Sequence, residues 1–101
     1  MISELINSIS ISGGETFNVA QEVGTKYMPL CVSLLKDKTG SIADSLENQH
    51  NKNAEDINCG IFRRWLKGEG LLPVSWATLI GVLEDIQLSA LAEKIKIYVA
   101  S

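Results

Sequence analysis

Residues 61 to 95, IFRRWLKGEGLLPVSWATLIGVLEDIQLSALAEKI, constrain this chain more than any other stretch. An amphipathic run ends at Trp65 and Leu66 and meets Gly68 and Gly70. Pro73 blocks backward extension of the next apolar rhythm, and only Asp85, Ile86 and Gln87 separate that rhythm from the last one. Helices stopped and restarted this closely must pack as neighbours, in an antiparallel or steeply crossed pair. The segment therefore specifies a compact helical bundle, and it holds no residue arrangement suited to chemistry.

The same periodicity extends in both directions. Leu88, Leu91, Ala92, Ile95 and Val99 predict a last helix over about 88 to 99, and Trp76, Leu79, Ile80 and Leu83 predict one over about 75 to 84 with Ser75 as its cap. Ile57, Ile61, Phe62, Trp65 and Leu66 share one face of a longer helix that starts at Asn53, with Glu55 and Asp56 in its first turn and Arg63, Arg64 and Lys67 at its end. Ser41 and Asp44 match a capping box for a helix over about 41 to 49. Two more helices are expected, over about 15 to 23 and 27 to 36, broken near Gly24 or kinked at Pro29. Residues 1 to 14 form an extension set apart by Gly13 and Gly14. Its Ile2, Leu5, Ile6 and Ile9 have helical spacing, although ISIS alternates as a strand does. The expected architecture is all-α: a six-helix antiparallel bundle over 15 to 101, with the extension as an extra helix covering one end.

At 101 residues the chain matches one domain of ordinary size. Its apolar stretches are interrupted well before the roughly 20 residues that a membrane span needs, and its start, MISELINSISIS, carries Glu4 and no positive region of the secretory kind. A cytoplasmic protein without membrane insertion is expected. Cys31 and Cys59 sit among apolar neighbours and read as buried thiols outside any disulfide, while His50, the only histidine, reads as a solvated loop or helix-end residue. With no CxxC, no second histidine and no paired acids around a pocket, the parts needed for an enzyme, a metal site or a cofactor site are missing.

Charge is the remaining signal. The formal net charge is −3, and all of it belongs to residues 1 to 50, where Lys26, Lys36 and Lys38 oppose Glu4, Glu15, Glu22, Asp37, Asp44 and Glu47. The one dense basic cluster is Arg63, Arg64 and Lys67. Overall acidity argues against nucleic acid as the partner. Two readings of the cluster stay open: an ordinary solvated helix end favoured by the dipole, and a patch that meets an acidic protein.

In the order and spacing of these elements the chain resembles a death domain, one of the six-helix death-fold bundles. The resemblance is strongest over residues 57 to 95, through FRRWL, SWATLIGVL and LSALAEKI. It is weaker over 15 to 50, where VGTKY and a following LL pair resemble the junction of the first two helices. Tyr27 stands there where death domains more often carry Trp, and residues 1 to 14 have no counterpart. The resemblance implies a Greek-key death fold and a non-catalytic homotypic module. Such a module binds other death-fold domains or copies of itself, and recruits signalling proteins in apoptosis or innate immunity. For such a contact the charges of the sequence offer one pairing, in which Arg63, Arg64 and Lys67 face Asp37, Asp44 and Glu47 of a neighbour. The alternatives are a caspase-recruitment or death-effector domain and, from another class, a helix-turn-helix DNA-binding domain. The last is disfavoured by the Ala77, Thr78, Gly81 and Glu84 that its recognition helix would present.

Overall fold

Six helices and a two-stranded antiparallel sheet make up the regular structure of the described residues, 7–10, 14, 16–36, 39–51, 53–70 and 72–100, in a computed structural model. In chain order these are β1 (Ser8–Ser10), β2 (Thr16–Asn18), α1 (Val19–Val23), α2 (Tyr27–Leu35), α3 (Ser41–Gln49), α4 (Ala54–Leu66), α5 (Trp76–Asp85) and α6 (Ser89–Ala100).

The sheet corrects the expectation for the start of the chain. Residues 8–10 are a strand rather than part of a helix, and the first helix begins at Val19 instead of residue 15. The cause lies in two matching triplets, Ser-Ile-Ser and Thr-Phe-Asn, each polar, apolar, polar. This period of two suits a strand and places one side chain of each triplet on a common face. β1 and β2 pair antiparallel with Ile9 opposite Phe17, and both side chains are buried in the core. Residues 8–10 therefore pack with the bundle. Asn18 ends β2 and starts α1, its Oδ1 accepting the Gln21 amide at 3.2 Å.

The longest helix, α4, lies at the centre, packed against α1, α2 and α3. Its inner face, Ile57, Asn58, Ile61, Phe62 and Trp65, is wholly buried. Against it stand Val19 and Ala20 of α1, Leu30 and Leu34 of α2 and Leu46 of α3. α5 and α6 form the close antiparallel or crossed pair that their short connection demands, joined through Leu79, Leu83, Leu91 and Ile95. α5 also meets α2, and α6 returns to α1. There Lys94 bonds Glu22 at 3.2 Å and lies 5.7 Å from the centroid of the Phe17 ring.

Asn58 is the polar exception in this core. Its Nδ2 donates to the carbonyl oxygens of Ala20 and Gly24, each at 2.9 Å. These are carbonyls that a helix end leaves without an intrahelical partner, so one buried amide terminates α1 and fastens it to α4.

The caps expected at Asn53 and Ser75 form, accepting the Asp56 amide at 3.1 Å and the Thr78 amide at 3.2 Å. The capping box of Ser41 and Asp44 does not. Gly40, in a left-handed conformation with φ 76°, takes the cap position, so Ser41 is already inside the helix and the Asp44 amide donates to the Gly40 carbonyl at 2.9 Å. Three apolar assignments also shift outward. Trp76 is half-buried, with its ring edge-on to Tyr98 at a centroid distance of 5.5 Å. Val99 is exposed because α6 runs past the end of the core. Cys31 is buried as expected whereas Cys59 is half-buried, and neither is in a disulfide. Among the described residues, no helix is long and apolar enough to cross a membrane.

Candidate functional site

The three cations of α4 come together, and the way the helix ends explains how. Lys67 holds the C-cap and Gly68 follows in the left-handed region at φ 84°. The Gly68 amide donates to the Trp65 carbonyl at 2.9 Å and the Glu69 amide to the Arg64 carbonyl at 3.1 Å. That pair of bonds is a Schellman ending, which turns the chain sharply back over the last helical turn. The turn carries Glu69 to the Arg64 guanidinium, with Nη1 and Oε1 at 3.2 Å.

Arg63 and Arg64, about 100° apart around the helix, thereby acquire different roles. Arg64 is half-buried and engaged by Glu69. Arg63 and Lys67 project into solvent, neither with an ion pair to a described residue. The Arg63 charge also reaches the half-buried Cys59 one turn earlier. Burial pushes that thiol above its ordinary range, the guanidinium draws it down, and Glu55 and Asp56 push it up.

A second helix completes the surface. The end of α3 brings Gln49 and His50 beside the cations, and the two helix ends enclose an open groove of about 290 Å3. Leu46 and Gly60 form its floor, with Arg63, Arg64, Lys67 and Glu69 on one wall and Gln49 and His50 on the other. A Cβ on Gly60 would lie 2.8 Å from Leu46 Cδ2, so a side chain there would have to move the tip of Leu46 aside. With three permanent cations and one anion already engaged, the groove is an electropositive concavity with amide and imidazole hydrogen-bonding groups. It has the means to hold a carboxylate-bearing surface.

Of the acids expected to meet this cluster on a neighbour, Asp44 and Glu47 stand three positions apart on α3. Asp37 lies outside the described residues. Asp44 is exposed in the first turn of α3, where an acid favours the positive helix start. Glu47 is half-buried and accepts a hydrogen bond from the Tyr27 hydroxyl. Burial first, then this carboxylate, raises the Tyr27 phenol above its ordinary range. Glu47 thus joins α2 to α3 within the chain.

His50 and Gln49 join the basic cluster only in three dimensions, whereas Glu69 reaches it through the turn at Gly68. The polar surroundings of residues 49 and 50 in the sequence mark a loop and a helix end, and their place beside the cations comes from the packing of α3 on α4. Among the described residues, no group of three His, Cys, Asp or Glu side chains could hold a metal ion.

Comparison with protein-family models, with characterised proteins and with solved structures returns no match for this chain.

Proposed function

We propose that this chain is a homotypic protein-interaction module of the death-domain kind. Its six helices adopt the Greek-key death-fold arrangement, and it recruits or oligomerises cytoplasmic signalling proteins in apoptotic or innate-immune pathways. The observation that carries this reading is the groove between the ends of α3 and α4. There Arg63 and Lys67 stand exposed beside His50 and Gln49, on two packed helices. A helix dipole accounts for cations at the end of α4, yet it does not account for their convergence with a second helix around a concavity. Charge on such a rim selects and steers partners, while apolar contact around it supplies the rest of the affinity.

Mixing the purified chain with isolated death-fold domains, and following complexes by size-exclusion chromatography with light scattering across salt concentrations, tests this reading. A complex that weakens with salt and is lost in Arg63→Glu is expected. A complex indifferent to both, or no complex with any such domain or with itself, overturns it.

A further inference from the structure

We propose that the acidic surface taken by the α3–α4 groove is the α2–α5 groove of a second copy of this chain, with Asp85 as the entering carboxylate. The proposal rests on the reading above and names its partner.

Of the nine acids among the described residues, eight have a local structural task. Glu22 pairs with Lys94, Glu69 with Arg64, and Glu84 and Glu93 share Lys96 at 3.3 and 3.1 Å. Glu47 holds Tyr27, while Asp44, Glu55 and Asp56 occupy first turns of helices. Asp85 has none. It is exposed at the last position of α5, where the partial charge of the helix end opposes a carboxylate, and it forms no ion pair with a described residue. The side chain is placed against its own helix, and a cation from outside the molecule would relieve the cost.

The setting of Asp85 matches a protein contact. It borders an open groove of about 350 Å3 between α2 and α5, whose apolar lining includes Leu72, Ala77 and Val82. Lys36 stands on the same rim. Lys36 on the one rim and Glu69 on the other are also of opposite sign, so both grooves find opposite charge in the other. The two grooves share no residue. Each copy can therefore use both at once, and a heterologous contact of this kind adds subunits without closing into a symmetric dimer.

Charge reversal tests the pairing by light scattering and sedimentation of the whole chain at low salt over a range of concentrations. Arg63→Glu and Asp85→Arg should each weaken self-association by on the order of tenfold or more. The double variant R63E/D85R should regain part of it, because the pair between residues 63 and 85 is then reversed on both sides while Lys67 keeps its charge. All three should keep the helical circular dichroism of the parent, since both side chains are exposed. A parent chain that stays monomeric, or a double variant no better than the singles, overturns the proposal. If Arg63→Glu weakens association and Asp85→Arg does not, the basic groove remains the binding face and Asp85 is the wrong partner. If neither reversal matters, the groove itself fails as the binding face.

Discussion

A single buried amide decides more about this fold than any ion pair on its surface. Asn58 satisfies two carbonyls, from Ala20 and Gly24, that would otherwise be sealed in the core without a donor. Replacing it by leucine fills a similar volume and strands both oxygens. Asn58→Leu should therefore cost about 2–4 kcal/mol of stability in urea denaturation, against less than about 0.5 kcal/mol for the exposed Asn48→Ala. Equal effects for the two would remove Asn58 from this role. The residue was hidden in the sequence because asparagine in a helix suggests a solvent-facing position. Only the burial of its neighbours Ile57 and Ile61 on both sides, and the end of α1 opposite, give it a task. Arg63 and Arg64, by contrast, were legible as a cluster, but nothing local distinguishes the exposed one from the one engaged by Glu69.

At the level of elements, two helices end in the same way with different residues. α5 repeats the ending of α4: the Gln87 amide donates to the Glu84 carbonyl at 3.1 Å and the Leu88 amide to the Leu83 carbonyl at 2.8 Å. Here Gln87 takes the left-handed position, φ 67°, that Gly68 occupies after α4. A side chain in that region is strained by contact between its Cβ and the backbone, so Gln87→Gly should stabilise the chain by up to about 1 kcal/mol and Gly68→Ala should destabilise it by about as much. Shifts of the denaturation midpoint in the opposite directions would refute this. Helix positions were readable where capping residues stand immediately before an apolar rhythm, as at Asn53 and Ser75. At α3 the span was read correctly and only the cap was misread, since a glycine takes it at residue 40, while the start of the chain was misread because three-residue strands were too short to outweigh a helical spacing that Ile9 also satisfies. The α3–α4 groove was half legible, since its cations are sequential while its other wall depends on how α3 packs on α4.

For the molecule as a whole, the resolved titrations all point to alkaline pH. Tyr27, Cys59 and Lys96 are each raised from ordinary values of 10.0, 9.0 and 10.5, the first two mainly by burial and Lys96 by its bonds to Glu93 and Glu84. The folded chain thus holds protons that the unfolded chain releases more readily, so stability is fully present below these values and falls as pH rises through and beyond them. Thermal melts should show a decline beginning above about pH 9, and Cys59→Ala should remove its earliest part. A melting temperature that rises across this interval would contradict the assignment. The attachment of α1 has a further effect on how the molecule breathes. With five residues, α1 is well below the length of about 12–15 at which a helix persists by itself in water, and Asn58 ties its end to the central helix of the bundle. Its amide protons should therefore exchange with solvent deuterium only when α4 opens, on the slow clock of global unfolding. In Asn58→Ala the same amides should exchange early, on the fast clock of a fraying end.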